Sequence, residues 1–362
     1  MIFEDCVTMR TLVIGPNDNP PLLGKYTSGL DRVAQLHAAK PDHWLMTAEG
    51  DTIHPRQVKL GIANICFPER GNPQVTLRKN WVKENHHRFD RFIYHGNSST
   101  IIKALCKEGR GADIEAWLHC PDVNSVWGFN FNSGVGLVKH KGGRVIAVSE
   151  RLRLIWDAWH RYQIGREQTK RVLTSPDLCN MTLLHDPFVD EVRFPLGSTC
   201  RDPVKPAALP GIVLSRMAKE KKLERALGNG LNFMLSRVSR GYVLDTTGES
   251  VVFDQPWETC MEVLAESAFL VSTWEDETYG LNALEAAERG VPVILCEGVK
   301  PIPRTTTVLP HASRSFLPDW GYITCHPSPE GVKDAISRIP KEWTTLTFRR
   351  RLARYIREKV TL

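Results

Sequence analysis

The sequence lacks any long apolar run: no stretch approaches the roughly 20 apolar residues that a membrane-spanning helix requires. It also lacks closely spaced cysteines: the nine cysteines are scattered along the chain, with no CxxC motif and no Cys/His cluster at zinc spacing. Residues 1–10 include Glu4 and Asp5 and do not have the basic and then apolar pattern of a secretion signal. We therefore expect a cytosolic protein whose cysteines are mostly reduced thiols.

The length and composition predict more than one hydrophobic core. A chain of 362 residues, 42% hydrophobic and 24% charged, fits two domains of about 100–200 residues each. The formal net charge of +6 is modest for this length, so only the local distribution of basic residues can indicate a polyanionic partner. The sequence has no short internal repeat and no low-complexity tract.

Short apolar strands alternate with helices along most of the chain, which is typical of parallel sheets covered by helices on both faces. A proline-rich segment over residues 188–210 interrupts this alternation. We predict an N-terminal domain over residues 1–195, a linker over 196–210, a C-terminal domain over 211–340 and a terminal helix over 341–362 that packs back across the domains. The predicted strands are residues 10–16, 44–47, 92–94, 115–119, 145–148, 212–215, 242–245, 251–253, 269–272 and 291–296, and the predicted helices are residues 30–39, 100–107, 150–162, 219–235, 258–266 and 281–289.

The most specific motif lies in the stretch VSTWEDETYGLNALEAAERGVPVIL, which begins at Val271. Glu277 ends a loop after a predicted strand, Gly280 precedes a predicted helix, and Glu285 lies in the second turn of that helix. Positions seven or eight apart return to one face of a helix after about two turns, so both carboxylates can point into one cleft. The free N–H groups at the start of the helix suit a diphosphate, which glycine allows to approach closely.

This stretch resembles the E-x7-E signature of retaining glycosyltransferases of the family 4 type. Members of that family have the GT-B fold, an α/β architecture of two Rossmann-like, doubly wound domains facing a central cleft. The resemblance implies that Glu277 contacts the donor sugar and Glu285 the ribose, with Asn282 in the same donor site. The residues that match the signature are Glu277, Tyr279, Gly280, Leu281, Glu285, Ala286, Ala287, Gly290, Pro292, Val293 and Ile294.

A second match, IVLSRMAKEKK from Ile212, follows the predicted linker. It resembles the family's G-R-x-x-x-x-K-G motif, with Arg216 and Lys221 in the places of the two cations and with Ser215 and Lys222 replacing glycines. Two fixed cations can stabilise a departing nucleoside diphosphate without a metal, and the sequence has no D-x-D motif. We therefore expect a retaining hexosyltransferase that requires no cofactor and takes a nucleotide sugar, with UDP-glucose the commonest donor in the resembling group.

Other residues are assigned to the implied donor site by their position relative to the predicted strands. The glycine-rich turn Gly24–Gly29 follows the first strand, where family members keep a turn near the donor phosphates and the acceptor. His119 ends the strand EAWLH at the edge where open parallel sheets bind ligands, and it corresponds to a histidine that touches the donor sugar in the family. His95, at the end of another strand, is the alternative, and a structural role stays open for both. Phe253 and Asp254 lie where these enzymes cradle the base.

Basic residues between positions 56 and 110 outnumber acidic ones and alternate with aromatic residues, a combination that can follow a phosphate backbone and stack on bases. In size and charge the chain also resembles small bacteriophage glucosyltransferases that modify hydroxymethylated bases in DNA. The favoured acceptor is therefore such a base in double-stranded DNA, which would place the protein in a host cytoplasm. The candidate acceptor contacts are Lys79, Lys83, Arg88 and His95.

Two other functions remain open. A cell-surface polysaccharide, lipopolysaccharide or glycolipid acceptor also suits a basic domain, and residues 348–359 (FRRRLARYIREK) form a basic amphipathic helix able to bind an anionic membrane surface. A protein that binds a sugar nucleotide or DNA without catalysis fits the departures from the family motifs at Ser215 and Lys222. Retention of both glutamates and both cations favours an enzyme.

Overall fold

A computed structural model shows two compact units, the first extending to Arg193 and the second continuing from Phe194. The residues that the structure describes are 9–15, 37–47, 63–66, 72–95, 99–119, 134–158, 160, 187–194, 202–206, 210–217, 222–238, 249–253, 255–275, 277, 279–298 and 308–360.

The first unit is built on a parallel sheet. Its strands are β1 (Thr11–Ile14), β2 (His43–Thr47), β3 (Ala63–Cys66), β4 (Arg91–Tyr94), β5 (Ile114–Leu118), β6 (Arg144–Ala147) and β7 (Glu191–Val192). They are arranged in the order β3-β2-β1-β4-β5-β6-β7, and every pair runs parallel. All residues of β1 and β5 are buried, as expected for central strands covered on both faces.

Four helices with seven or more described residues belong to the first unit. They are α1 (Asn72–Asn85), α2 (Ser99–Lys107), α3 (residues 134–140) and α4 (residues 150–158). α1 and α2 pack against each other. The sequence did not indicate β3 or α1, whereas it correctly predicted α2 and the strands β1, β2, β4, β5 and β6.

The second unit contains a second parallel sheet. Its strands are β8 (Ile212–Met217), β9 (Asn232–Val238), β10 (Ser250–Phe253), β11 (Leu270–Ser272), β12 (Val293–Cys296) and β13 (Tyr322–Cys325). Their order is β10-β9-β8-β11-β12-β13, again with every pair parallel. In β12 every residue is buried, and Cys296 meets Cys325 of β13 with 3.7 Å between the two sulfurs.

The helices of the second unit include the predicted motif helix and the basic helix near the C-terminus. They are α5 (Trp257–Glu266), α6 (Leu281–Glu288), α7 (Pro329–Ser337) and α8 (Leu346–Lys359). α8 packs on α6, and its buried Arg349 donates hydrogen bonds to the carbonyls of Val204, Ala265, Ser267 and Ala268. The structure thus confirms α5, α6 and α8 as predicted helices.

The prediction of one helix over residues 219–235 is wrong. A 3₁₀ helix covers only Leu223–Ala226, and the strand β9 begins at Asn232. Gly228 and Gly230, at φ of 74° and 64°, separate the two elements. Because both glycines adopt the left-handed conformation, a right-handed helix cannot continue through them. The strand predicted over residues 242–245 lies outside the described residues.

Candidate active site

In each sheet the chain reverses its winding direction beside the first strand. β1 lies between β2 and β4, and β8 lies between β9 and β11. Open parallel sheets bind ligands beyond the carboxyl ends of the strands at such a switch point. The carboxyl ends of β1 and β4 in the first unit, and of β8 and β11 in the second, are therefore the expected ligand sites.

The loop between β11 and α6 carries the first glutamate of the motif. Glu277 is half-buried, and Gly280 caps the start of α6 with φ of 76° and ψ of 46°, in the left-handed region. A β-carbon on Gly280 would lie 2.0 Å from Ser313 Oγ and 3.6 Å from Glu277 Cγ. Glycine is therefore required here by both the backbone angle and the available space, and the start of the helix stays close to Glu277.

The helix α6 buries the second glutamate of the motif. Glu285 is only 2% exposed, so it does not lie on the solvated face that an ordinary amphipathic helix would give it. Asn282 in the first turn donates from Nδ2 to the carbonyl of Leu214 in β8 at 2.6 Å, and Leu281 beside it is half-buried. The start of α6 is thus fixed against the strand at the switch point.

A buried ion pair that the sequence did not indicate anchors the loop after β11. Arg225 contacts the carboxylate of Glu275 through both terminal nitrogens, with Nη2 3.0 Å from Oε1. Arg225 Nη1 also donates to the carbonyl of Thr273 at 2.9 Å. A β-carbon on Gly298 would lie 2.5 Å from Glu275 Cγ, so the backbone after β12 packs directly against the side chain of Glu275. No local spacing connects the two partners, which only the fold brings together.

Lys222, which replaces a glycine of the motif that this stretch resembles, has a left-handed backbone conformation. Lys222 adopts φ of 54° and ψ of 41°, one of two described non-glycine residues at positive φ. A non-glycine residue adopts this conformation at a cost of about 1–2 kcal/mol, whereas a glycine adopts it without that steric penalty. Arg216 belongs to β8, where it pairs with Ser236 of β9. The predicted site residues outside the described part of the chain are Gly24, Gly29, Lys221 and Asp254, together with the side chain of Arg216.

The two aromatic residues of the predicted donor site have different surroundings. Phe253 ends the edge strand β10 and is 46% exposed, so its ring is open to solvent. Tyr279 is 7% exposed and meets Phe316 edge-on, with 6.3 Å between the ring centroids. Phe253 is therefore available to stack on a base, whereas the ring of Tyr279 packs the turn before α6.

The first unit has a chain of three histidines at the carboxyl edge of its central strands. His95 directly follows β4, and its backbone N–H donates to the carbonyl of Ile14 in β1 at 2.9 Å. His119 directly follows β5, with its Nε2 2.9 Å from His95 Nδ1. On the other side, His95 Nε2 lies 2.7 Å from His37 Nδ1. The sequence presented His95 and His119 as alternatives, but the structure joins them by a hydrogen bond.

The three imidazoles are held in the neutral form. Burial is the main cause that lowers the pKa of His37 and of His95 well below the usual value, and the charge of Lys40 adds to the effect on His37. Burial also lowers the pKa of the half-buried His119 to about 3. At neutral pH, His119 can therefore donate or accept hydrogen bonds but supplies no positive charge.

Three of the predicted acceptor contacts lie at the surface and one lies inside. Lys83 and Arg88 are exposed and Lys79 is half-buried, along α1 and the turn that follows it. His95 is fully buried in the histidine chain. Lys79, Lys83 and Arg88 stay candidates for a contact with an anionic acceptor, whereas His95 could reach a ligand only through its neighbours.

Other arginines of the basic segment serve the fold of the first unit. Arg78 has no exposed surface and donates from Nη2 to the carbonyls of Gly15, at 2.8 Å, and Met46, at 3.3 Å. Arg110 forms an ion pair with Asp113 at 2.6 Å. The basic segment is thus not a continuous exposed strip, because part of its charge is used inside the unit.

Two features are absent from the described part of the chain. None of its His, Cys, Asp and Glu side chains form a group of three or more that could hold a metal ion. No helix among these residues is both long and apolar enough to cross a membrane.

Comparison with solved structures identifies the fold. No family model and no curated protein matches the sequence. HepE from Anabaena, solved in complex with UDP and glucose, aligns with a TM-score of 0.61 at 13% identity, over 98% of this chain and 96% of that chain. Sucrose-phosphate synthase from Thermosynechococcus elongatus aligns with a TM-score of 0.56 at 15% identity, over 97% and 94%. The lipopolysaccharide outer core galactosyltransferase WaaB aligns with a TM-score of 0.54 at 12% identity, over 97% of this chain and 96% of that chain.

The chain has the GT-B fold. This finding confirms the fold class that the resemblance implied. At such low identity the similarity establishes the architecture alone, so a function for this GT-B chain must be argued from the residues at its switch points. In the second unit, Glu277, Gly280, Asn282 and Glu285 lie at or beside the switch point; in the first unit, His119 follows β5, one strand beyond its switch point.

Proposed function

We propose that this GT-B protein transfers a hexose from a nucleoside diphosphate sugar to an acceptor hydroxyl, with retention of the anomeric configuration. The observation that carries the proposal is the position of the two motif glutamates around Gly280. Glu285 is buried in a helix that is bonded to the switch-point strand, and Glu277 lies beside the left-handed glycine that starts this helix. HepE, solved with UDP-glucose at a TM-score of 0.59, supports the same class of donor.

Each group has a role in the proposed donor complex. The diphosphate lies at the start of α6, where free backbone N–H groups and the helix dipole favour negative charge. Glu285 accepts hydrogen bonds from the ribose hydroxyls, Glu277 binds the hexose, and Phe253 stacks on the base. Arg216 and Lys221, assigned from the family motif, neutralise the leaving diphosphate in place of a metal.

Calorimetric titration of UDP, with a chelator present, tests the donor site. We expect Glu285→Gln to weaken UDP binding by about 10- to 100-fold, because a hydrogen bond to a charged group contributes about 1.5–3 kcal/mol. Glu266→Gln, at an exposed position at the end of α5, is the matched control and should bind UDP like the unaltered protein. Equal affinity of both variants would remove Glu285 from the donor site.

For the acceptor, we propose a cell-surface glycan or glycolipid presented at an anionic surface. WaaB, a structural neighbour, is a lipopolysaccharide outer core galactosyltransferase. The helix α8 supplies a second argument: its apolar residues are buried, and its opposite face is cationic. The exposed cations of α8 are Arg350, Arg351, Arg354, Arg357 and Lys359. Basic helices of this kind bind anionic membrane surfaces.

A hydroxymethylated base in DNA is the second candidate acceptor, favoured by the exposed Lys83 and Arg88 and the half-buried Lys79. A mass-spectrometric transfer screen separates the two candidates. Purified protein and UDP-hexoses are offered plain and hydroxymethylated DNA, lipopolysaccharide core oligosaccharides and glycolipids. We expect a hexose-sized mass gain on a glycan or glycolipid. A gain on modified DNA alone would overturn the surface-glycan assignment, and no transfer or donor hydrolysis with any acceptor would favour a non-catalytic binding protein.

A further inference from the structure

Two buried thiols meet at the carboxyl edge of the second sheet. Cys296 ends β12 and Cys325 ends β13, and the two residues lie directly opposite each other in the register of these parallel strands. Their sulfurs are 3.7 Å apart, and both cysteines are free thiols. Neighbouring strands lie about 4.8 Å apart, within the range of about 4.4–6.8 Å that separates the Cα atoms of a disulfide. A small shift of the two side chains can therefore join them.

Cys325 is the thiol that is better placed to react first. It is 7% exposed and lies on β13, at the edge of the described sheet, whereas Cys296 has no exposed surface. Arg338 donates from Nη2 to the carbonyl of Thr324 at 3.3 Å, which places a cation beside this strand end. The hydrogen bond with Cys296 lowers the pKa of the Cys325 thiol, and the charges of Arg338 and Arg225 act in the same direction, although burial opposes them. These contacts favour the thiolate, which is the form that attacks an oxidant.

The backbone that follows Cys296 packs against the ion pair of the candidate donor loop. Gly298 comes two residues after Cys296, and a β-carbon there would lie 2.5 Å from Glu275 Cγ. Glu275 is the carboxylate that Arg225 holds in the loop between β11 and α6, which also carries Glu277. Because there is no free space between this backbone and the Glu275 side chain, a shift at the end of β12 displaces the loop.

We propose that Cys296 and Cys325 are a redox modification site, which hydrogen peroxide oxidises to a reversible disulfide. The Cys325 sulfur first takes one oxygen from the peroxide, which forms a sulfenic acid and releases water. The Cys296 sulfur then attacks the sulfenic sulfur, so that the S–S bond forms and a second water leaves. The two thiols together lose two electrons and two protons, and the peroxide is reduced to two molecules of water. A small dithiol reverses the reaction by thiol–disulfide exchange.

The disulfide has a consequence for the candidate donor site. It draws the ends of β12 and β13 together and shifts Gly298 against Glu275, which moves the loop that carries Glu277. We expect the oxidised protein to bind UDP about tenfold more weakly than the reduced protein, which corresponds to about 1.4 kcal/mol. This effect rests on the proposed glycosyltransferase function, whereas the disulfide itself does not.

Peptide mass spectrometry of the full-length protein tests the modification without any substrate. The folded protein is treated with hydrogen peroxide, unfolded in excess alkylating reagent and digested without reductant. We expect a peptide pair linked through Cys296 and Cys325 that dithiothreitol separates, while Cys106, a buried thiol of the first unit, is recovered alkylated. In Cys296→Ser, the sulfenic acid of Cys325 should persist and react with dimedone. Absence of the linked pair, or oxidation of Cys325 to a sulfinic acid in its place, would overturn the proposal.

Calorimetric titration of UDP tests the link to the donor site. We expect dithiothreitol to restore the affinity that peroxide lowers, and Cys325→Ser to bind UDP equally well before and after peroxide. Cys106→Ser, which keeps the thiol pair, is the matched control and should respond to peroxide like the unaltered protein. Equal UDP affinity of the linked and the reduced protein would contradict the effect on the donor loop. If the reduced protein binds no UDP, the proposed function fails, and the peptide map alone decides whether the disulfide forms.

Discussion

Acid should destabilise the first unit through the histidine chain, in which His37 and His95 are buried and His119 is half-buried, well before most carboxylates titrate. In the folded protein the pKa of His37, His95 and His119 is lowered, and that of His119 falls to about 3. In the unfolded chain each returns to about 6.5. Below about pH 6.5 the unfolded state therefore binds more protons than the folded state, and the free energy of unfolding falls as pH falls.

The size of the effect follows from the number of histidines. One group that stays neutral in the fold contributes a slope of about 1.4 kcal/mol per pH unit, so three contribute about 4 kcal/mol per unit. A domain with a typical stability of about 5–15 kcal/mol should lose its fold within a few pH units of the histidine range. The stability contribution is fully present above about pH 6.5 and, for His119, is lost progressively down to about pH 3.

Urea unfolding followed by tryptophan fluorescence, from about pH 8 to about pH 5, measures this slope. Trp117 contacts two of the three histidine rings, so the fluorescence change of the first unit includes a residue of the histidine chain. His95→Asn should reduce the slope by about a third, and the exposed His140→Gln should leave it unchanged. A total slope below about 1.4 kcal/mol per pH unit would show that the histidines become protonated in the fold, and would refute the reasoning.

Three substitutions test the second unit by thermal or urea unfolding. Lys222→Gly should raise stability by up to about 1 kcal/mol by removing left-handed strain, whereas Lys222→Ala keeps the strain and should not. Gly280→Ala should lower the free energy of unfolding by about 2–4 kcal/mol and abolish UDP binding, because the alanine β-carbon would lie 2.0 Å from Ser313 Oγ. A free energy of unfolding within about 1 kcal/mol of that of the parent protein would contradict the turn geometry. Arg349→Met should lower the free energy of unfolding by about 3 kcal/mol, because it leaves buried carbonyls without hydrogen-bond donors. Arg350→Met, at an exposed position, should change the free energy of unfolding little.

Local patterns predicted the strand before the candidate donor residue Glu277 and the helix that carries the candidate donor residue Glu285. The stretch around Glu277 and Glu285 combines a buried strand, a glycine at a helix start and a second glycine after the helix, so spacing alone located α6 and its turn. The same logic failed at residues 219–235, where the apolar spacing favoured a helix. There Gly228 and Gly230 end the helical turn, because left-handed backbone angles outweigh a weak periodicity.

Contacts between distant residues were beyond the reach of local patterns. Arg225 and Glu275 form a buried pair across 50 positions, and nothing near either residue indicates its partner. His95 and His119 follow adjacent parallel strands, so their meeting could have been inferred had β4 and β5 been recognised as neighbours. Arg78 belongs to the basic segment between positions 56 and 110, and its burial could not be anticipated because the helix α1, which carries it, was not recognised.

A crystal structure with UDP bound tests the central claim most directly. We predict the diphosphate against the backbone N–H groups at the start of α6, beside Gly280, and the ribose hydroxyls on the carboxylate of Glu285. A nucleotide bound elsewhere, with no contact to Glu285 or to the start of α6, would contradict the proposed donor site and with it the assignment of this chain as a sugar-nucleotide transferase.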